Sequence, residues 1–241
     1  MAAGWQAQAS HWRRKLINSS SRVIIVMTGG SAALTEQLAR ELAPAEAYWL
    51  DLAPRQSAEV RRTSAISDEQ LKQLSGSIAA WVHIVPTDGI RFDPNQPFAE
   101  ASLVVRSWEL AYEHLAKGIG ASYIPVIPCE GSYLGARAMQ IEIAGSTSVC
   151  LSRLSVSRWS REGRRINVVM NSSIGSFGST GLRPEAVLKG RIPMDRLASV
   201  RDLAHAIGFL SSSGAAYVTG STLPVDGGWT AYSWFYPYTE T

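Results

Sequence analysis

Two short segments of the sequence hold residue types whose spacing could do chemistry. The first is the glycine pair Gly29-Gly30, which directly follows the apolar run 22–28. Glycines after a buried strand let the backbone approach a phosphate group, which then sits at the N-terminus of the next helix. The second is Tyr133, which lies four residues before Arg137. A tyrosine beside a cation is typical of a general acid, because the positive charge lowers the pKa of the phenol.

The elements that must position such residues alternate between strand and helix along the chain. Apolar runs predict strands at 22–28, 47–52, 80–85, 123–127, 166–170 and 222–225. Apolar residues at helical spacing predict helices at 34–42, 71–78, 101–117, 141–159 and 200–210. This alternation indicates an α/β fold, a single Rossmann-type doubly wound parallel sheet with helices on both faces.

The chain divides into one domain and two flanking segments. We predict an N-terminal extension at 1–21, the α/β domain at 22–228 and an aromatic C-terminal tail at 229–241. The extension is polar and lacks the apolar centre of a signal peptide. The tail has six aromatic residues between Trp229 and Tyr238. Because Trp and Tyr are common interface anchors, the tail either folds over its own core or contacts a partner.

Composition excludes several function classes. No apolar run approaches the roughly 18 residues that a membrane span needs, so we expect a cytoplasmic protein without membrane contact. The two cysteines, Cys129 and Cys150, and the four scattered histidines have no metal-type spacing, so no metal site is expected. The net charge of +3 is small, and we interpret the local arginine cluster as a solvated helix face rather than a nucleic-acid site. Its members are Arg153, Arg158, Arg161, Arg164 and Arg165.

The C-terminal third of the chain contains four consecutive motifs. They are Arg191-Ile-Pro-Met-Asp-Arg-Leu197, Phe209-Leu210, Tyr217-Val-Thr-Gly220 and Val225-Asp-Gly-Gly228. With these motifs the chain resembles the short-chain dehydrogenase/reductase (SDR) family. The resemblance implies a dinucleotide-dependent oxidoreductase fold. It also implies tetramers with two interfaces, one built from the last helix and strand and the other from the helices at about 101–117 and 141–159.

The nucleotide loop departs from the pattern that the resemblance implies. The SDR loop is Thr-Gly-x-x-x-Gly-x-Gly, and in the matching segment 28–35 the second and third glycines are Ala33 and Thr35. Asp51 lies where a ribose-binding carboxylate is expected, although it also suits a strand-end turn. The adenine-side aspartate falls at Ala65, and His83-Ile-Val-Pro86 replaces an Asn-Asn-Ala-Gly loop. We therefore expect no cofactor bound by this chain.

The catalytic positions depart further. Alignment of the family's Arg-Val-Asn motif on Arg165-Ile-Asn167 places the tyrosine at Ile141 and the lysine at Gly145. The serine position falls near Pro128, Asn171-Ser172 replaces a Pro-Gly, and no asparagine occurs between Asn95 and Asn167. The sequence also contains no lysine between Lys117 and Lys189, so a Tyr-x-x-x-Lys pair cannot form there.

Tyr133 and Arg137 do not replace the missing pair. They would need roughly eight extra residues before Arg165, and an arginine does not exchange its proton in proteins. We therefore expect no catalytic, cofactor-binding or metal-binding residues in this chain.

The resulting hypothesis is a catalytically inactive SDR-fold subunit that supports a homologous active subunit. The partner would bind NAD, and the resemblance implies a heterotetramer. Within the family, the chain resembles the inactive subunit of the dehydrogenase that oxidises 2-[hydroxy(phenyl)methyl]succinyl-CoA in the benzylsuccinate pathway of anaerobic toluene degradation. Two alternatives remain open: an active SDR oxidoreductase with unorthodox residues, and a ligand-sensing regulatory relative.

Overall fold

A computed structural model of the protein describes residues 23–52, 66–85, 96–117, 120–129, 138–172, 174 and 189–231. Seven strands lie in these ranges: β1 Ile24–Gly29, β2 Glu46–Trp49, β3 Ile78–Ile84, β4 Ser122–Pro128, β5 Arg165–Ile166, β6 Val168–Asn171 and β7 Thr222–Val225. Five α-helices connect them: α1 Ala32–Glu41, α2 Asp68–Leu74, α3 Ala99–His114, α4 Ala138–Arg161 and α5 Val200–Ser211. No helix in these ranges is long and apolar enough to span a bilayer.

The strands form one parallel sheet. Its order is β2-β1-β3-β4-β6-β7, and the short β5 pairs with β4 just before β6 does. Every strand pair is parallel, so the chain between two paired strands crosses over a face of the sheet. The doubly wound architecture expected from the alternating pattern is confirmed.

Helices bury both faces of the sheet. On one face, Leu38 of α1 and Ile207 of α5 pack against strand residues that include Val82. On the other face, Ala111 of α3 and Trp159 of α4 pack against a second set of strand residues. Because both faces are covered, residues that point to either face of the sheet are apolar. The strands therefore read as continuous apolar runs, which is the pattern of a buried parallel sheet.

One boundary predicted from periodicity is wrong. Ile78 was assigned to the end of a helix with Leu71 and Leu74, yet it is the first residue of β3 and pairs with Ile24. The helix ends at Leu74, and Gly76 follows in a left-handed conformation with φ +78°. A glycine turn thus returns the chain to the core at a residue that happened to fit the helical spacing.

The start of α5 is fixed by a capping box. The Ser199 hydroxyl accepts a hydrogen bond from the Asp202 amide, and the Asp202 carboxylate accepts one from the Ser199 amide at 2.8 Å. Arg196 binds both carboxylate oxygens, at 2.8 and 3.1 Å. The Arg196 hydrogen bond is the main cause of the lowering of the Asp202 pKa to about 2. These contacts attach the segment before α5 to the helix.

Among the described strands β7 pairs only with β6, so it forms one edge of the sheet. The Val168 amide donates to the Ser221 carbonyl, and the Ser172 amide donates to Val225. Since alternate residues of a strand face the same neighbour, Thr222 and Pro224 turn their backbone groups to the open side. Pro224 has no N–H to offer there.

Candidate functional site

The sheet order reverses between β1 and β3, and their carboxyl ends form the crevice where open α/β folds bind ligands. Gly29 and Gly30 lie at the end of β1, and Ser31 caps α1 by accepting a hydrogen bond from the Leu34 amide at 3.4 Å. The opposite wall is the end of β3, with His83 and Ile84 paired to Thr28 and Gly29. The glycine pair singled out in the sequence therefore lies at the crevice.

Both glycines are required by the neighbouring strand. Gly29 has φ +71°, and a Cβ there would lie 2.1 Å from the Ile84 carbonyl oxygen and 3.3 Å from His83 Cε1. Gly30 has φ +68°, with a Cβ position 3.2 Å from Ile84 Cγ2. The two glycines thus let the β1–α1 turn lie directly against β3, whether or not a ligand is present.

The two positions at which the resemblance implies a glycine lie on α1 and differ in exposure. Ala33 is exposed in the first turn of this helix, which begins at the crevice. Thr35 is buried, and its hydroxyl donates to the carbonyl oxygens of Ser31 at 2.9 Å and Ala32 at 3.0 Å. The threonine side chain therefore fills the space between helix and sheet, with its polar atom satisfied by its own helix.

A buried polar network lies directly below the crevice. Thr28 Oγ1 contacts His83 Nδ1 at 2.9 Å and Ser107 Oγ at 3.0 Å. The Trp81 indole donates to Ser107 Oγ, also at 3.0 Å. Burial lowers the pKa of His83 to about 3, so the imidazole is neutral at physiological pH. The sequence showed His83 only as a departure from a motif, and it gave no reason to select Ser107 at all.

The positions matched to the catalytic pair lie on the first turns of α4. Ile141 is 1% exposed and belongs to the core. A Cβ on Gly145 would make ordinary contact with Ile127 Cδ1, 3.7 Å away. Pro128, at the serine position, ends β4, and the next amide, of Cys129, donates to the Asn171 carbonyl at 2.9 Å. These residues meet as packing contacts at the carboxyl end of β4.

Other residues named from the sequence are less informative. Asp51 lies exposed just beyond β2. Ala65, Pro86, Tyr133 and Arg137 lie outside the described residues. Within the described ranges, no three His, Cys, Asp or Glu side chains group closely enough to hold a metal ion.

Sequence reasoning also missed Gln140, which precedes Ile141 on α4. Its side chain is buried and donates from Nε2 to the Gln96 carbonyl oxygen at 3.1 Å, which joins α4 to the segment before α3. A single glutamine in an amphipathic helix gives no signal of this contact.

The interpretation of the arginine cluster as a solvated face is wrong for two members. Arg164 and Arg165 are buried. Arg164 donates to the Tyr112 carbonyl at 2.6 Å and pairs with Glu162 at 3.4 Å. Arg165 donates to the Gly120 carbonyl at 3.0 Å. Since both follow the end of α4, the chain turns inward there and carries the guanidinium groups to backbone acceptors.

The preserved C-terminal motifs contact one another. Asp226 accepts hydrogen bonds from the amides of Gly228 and Thr230, both at 2.9 Å. Burial would raise the pKa of this carboxyl, but these hydrogen bonds outweigh it and the pKa is lowered. A Cβ on Gly227 would lie 2.5 Å from Ile192 Cγ2. The Val-Asp-Gly-Gly turn is thus fitted against the segment that begins at Arg191.

Trp229, the first residue of the predicted tail, is buried in this same region. It clusters with Ile192 and Leu197. The described start of the tail therefore packs on its own domain, whereas residues 232–241 lie outside the described residues.

The fold and the crevice define a Rossmann-type protein of the class found in dehydrogenases and reductases. A family model described as enoyl-(acyl carrier protein) reductase matches residues 136–230. The 3-oxoacyl-[acyl-carrier-protein] reductase of Pseudomonas aeruginosa is 35% identical over 108 residues, 41% of this chain and 42% of the relative. Subunit BbsC of the (2S)-[(R)-hydroxy(phenyl)methyl]succinyl-CoA dehydrogenase of Thauera aromatica is 37% identical over 101 residues, 42% of this chain and 40% of the relative.

Solved structures extend the similarity in fold. A short-chain dehydrogenase/reductase from Brucella melitensis has a TM-score of 0.66 at 20% identity, covering 88% of this chain and 98% of the other. The NADH-dependent enoyl-[acyl-carrier-protein] reductase of Aquifex aeolicus has the same TM-score at 18% identity and the same coverage. The chain's sequence matches span less than half of the length of the two curated relatives named above. The family model and the relatives show that part of the chain is similar in sequence to dehydrogenases and reductases, and the solved structures show that it shares their fold.

Proposed function

We propose that this chain is a non-catalytic SDR-fold subunit that assembles with an active, NAD-dependent SDR subunit. The observation that carries the proposal is the chemistry at the start of α4. Ile141, which has no ionisable group, is part of the core, and Gly145 packs its backbone against Ile127. A carbonyl reduction needs a proton donor near the hydride acceptor, and neither residue can donate or hold a proton. The relatives' names describe dehydrogenases and reductases, so the proposal differs from the activity that those names give.

The crevice supports the same proposal, because its residues do not fit the dinucleotide that the fold family implies. The exposed Ala33 methyl group lies on the first turn of α1, where a pyrophosphate would approach the backbone. The buried Thr35 fills the space in which a glycine would bring helix and strand together. On the opposite wall, the His83 ring is turned inward and held by Thr28. In this proposal the NAD of the complex is bound by the partner.

A partner has two exposed apolar regions to contact. Tyr217 is fully exposed and Phe209 partly exposed, close to the edge strand β7. Leu154 is 82% exposed on α4, and Val105 is exposed on α3. Exposed aromatic and aliphatic side chains of this kind are typical of subunit interfaces. Two interfaces on one chain are what a heterotetramer needs.

The Thauera aromatica relative suggests the reaction of the complex. Its name describes a dehydrogenase subunit, which supports a multi-subunit assembly for this chain as well. We therefore propose a partner that oxidises 2-[hydroxy(phenyl)methyl]succinyl-CoA with NAD, as in anaerobic toluene degradation. An assay of the purified complex with this thioester, compared with 3-oxoacyl thioesters, tests the substrate separately from the subunit role.

The purified chain alone is expected to have no dehydrogenase activity and no measurable NAD or NADP affinity. The double variant Ile141→Tyr/Gly145→Lys is expected to remain inactive, because a restored acid has no bound nicotinamide to act with. Calorimetric titration and NADH absorbance measure the two properties, with an active SDR enzyme as positive control. Turnover by the unmodified chain, or a dissociation constant in the low micromolar range, would contradict the proposal.

Assembly is expected to depend on the C-terminal face. Tyr217→Asp places a charge in the proposed contact and should dissociate the complex, and removal of residues 232–241 should weaken it while leaving Trp229 in place. Ala33→Ser, which changes an exposed residue at the crevice and not on the C-terminal face, is the matched control and should assemble normally. Gel filtration and mass spectrometry of the copurified protein report the result, since such interfaces bury more than about 1,200 Å². A partner that is fully active and stable without this chain would rule out the supporting role.

A further inference from the structure

Five buried side chains form a continuous polar group on the sheet face below α3. Thr28 of β1 pairs in register with His83 of β3, and Trp81 of β3 pairs with Tyr123 of β4. Ser107 reaches this group from α3. All five are almost completely buried. A buried polar network of this kind fixes one arrangement of its elements only when each proton has an acceptor.

The contacts have a preferred direction. The Trp81 indole can only donate, and it donates to Ser107 Oγ. If the Ser107 hydroxyl then donates to Thr28 and the Thr28 hydroxyl donates to His83 Nδ1, each of the three contacts of 2.9–3.0 Å receives one proton.

The reversed direction is poorer. With a proton on His83 Nδ1, the Thr28 proton would turn back to Ser107 or to the Val82 carbonyl, which is 3.5 Å away. The Ser107 proton would then depend on the phenol of Tyr123, whose own hydroxyl makes only a long contact of 3.4 Å with the Val104 carbonyl. Both directions place one proton in each of the three short contacts, but only the forward direction gives the Ser107 proton an acceptor at 3.0 Å, the Thr28 hydroxyl oxygen.

We infer that Trp81, Ser107, Thr28 and His83 form a hydrogen-bond chain with one direction, which holds the His83 imidazole neutral and protonated at Nε2. This chain, here called the latch, joins β1, β3 and α3 at the crevice. Protonation of the imidazole in acid breaks the latch. His83 is a positioning residue in this inference. Its Cε1 lies 3.3 Å from the Cβ position of Gly29, so the latch holds the β1–α1 turn that forms the crevice wall.

Acid acts on the latch because, among the residues that the structure describes, no charged group lies beside the ring to offset a positive charge. The groups that face His83 are the Thr28 hydroxyl from β1, Ser107 from α3 and, beyond Ser107, the phenol of Tyr123 from β4. Burial raises the pKa of Tyr123, so all of these groups are neutral between pH 4 and 7. Burial alone lowers the pKa of His83, from 6.5 to about 3.

The sign of the pH effect follows from the lowered pKa. Between pH 6.5 and about 3 the unfolded chain binds a proton at His83 and the folded chain does not. Stability is therefore fully present above pH 6.5 and is lost as the pH falls through this window. Each pH unit lowers the folding equilibrium constant by about tenfold for this one proton.

The test combines a tautomer measurement with a stability series on the full chain. Nitrogen-15 shifts of the histidine rings at pH 7 should show His83 protonated at Nε2 and not at Nδ1. Urea unfolding at pH 7.0, 6.0 and 5.0 should show that the folding constant of the wild type falls by about 25-fold through this one proton, and the fall in His83→Gln should be smaller by about that factor over the same range. His205→Gln, which removes an exposed histidine on α5, is the matched control and should keep the wild-type pH slope.

A second variant keeps the inference testable if His83→Gln does not fold. Thr28→Val preserves the shape of the side chain and removes the donor to Nδ1, and it should shift the His83 ring away from the Nε2–H tautomer. An Nδ1–H tautomer in the wild type would overturn the inference. So would titration of His83 near 6.5 in the folded protein, or an unchanged acid slope in folded His83→Gln.

Discussion

Replacement of Gly29 by alanine is expected to destabilise the protein by about 3 kcal/mol or more. The added Cβ would lie 2.1 Å from the Ile84 carbonyl oxygen, a distance that forces the backbone of β1 or β3 to move. The residue also has φ +71°, which adds the cost of a left-handed conformation to an alanine. Because the obstacle is backbone and not the end of a flexible side chain, no rotamer change relieves it.

Gly208 provides the matched control. It lies within α5, and a Cβ there would meet nothing within 4 Å. Gly208→Ala is therefore expected to stabilise the protein by about 0.5–1 kcal/mol through helix propensity. Thermal and urea unfolding of the two variants measure the contrast. A loss below about 1 kcal/mol in Gly29→Ala would show that the β1–α1 turn does not lie against Ile84 as described.

The result expected for Gly29→Ala also offers a reason why this chain has a glycine at the first glycine position of the nucleotide loop. A glycine that the neighbouring strand requires is retained for folding alone. Its presence at 29, beside Ala33 and Thr35, is then no sign of dinucleotide binding. The expected loss of stability in Gly29→Ala without any nucleotide in solution separates the two explanations.

The second large effect is expected at the ion pair of Glu162 and Arg164. The Arg164 side chain is 0% exposed, and it lies 5.1 Å from the ring centre of Tyr112. Glu162 accepts a hydrogen bond from the Tyr112 hydroxyl at 2.6 Å, the main cause of its lowered pKa, and pairs with Lys117 at 3.6 Å. Glu162→Gln leaves a buried guanidinium without its counter-charge, so a loss of about 3 kcal/mol is expected.

The matched variant removes the other partner. Arg164→Met replaces the buried cation by an apolar chain of similar length. It is expected to cost about 1–2 kcal/mol, less than Glu162→Gln, because the Tyr112 carbonyl loses its hydrogen bond but the remaining Glu162 is partly exposed and still pairs with Lys117. The double variant should be more stable than Glu162→Gln alone, because no uncompensated charge remains. A double-mutant cycle from urea unfolding measures this coupling. Equal losses in the two single variants would show that the interaction is symmetric and that burial of Arg164 does not decide it.

Much of the fold follows from sequence pattern because local periodicity decides it. Strand β7 has the predicted bounds, and α5 differs by one residue at its end. The error at Ile78 arose because this residue lies four positions after Leu74, which is the spacing of one helical turn. The glycine turn after the helix places the first residue of β3 at that same position. Hydrophobic spacing alone does not predict that the helix ends before Gly76.

The site was less predictable, because its contacts join distant parts of the chain. Thr28 and Ser107 are 79 residues apart, and their hydrogen bond exists only after α3 has crossed the sheet. The inward turn of Arg164 likewise depends on the carbonyl of Tyr112, 52 residues earlier. The expectation that Ile141 and Gly145 occupy the catalytic positions comes from a motif at fixed spacing, which assigns each position without tertiary information.

Pro224 limits how a second molecule can dock on the open edge of the sheet. In the four residues of β7 only Thr222 turns an N–H outward, so an incoming strand would find one donor where a regular ladder offers two. A continuous sheet between two protomers along this edge would therefore lack a hydrogen bond at Pro224. Such an edge resists the indefinite strand-to-strand growth that leads to fibrils. It leaves recognition to side chains such as Tyr217, which can differ between one partner and another.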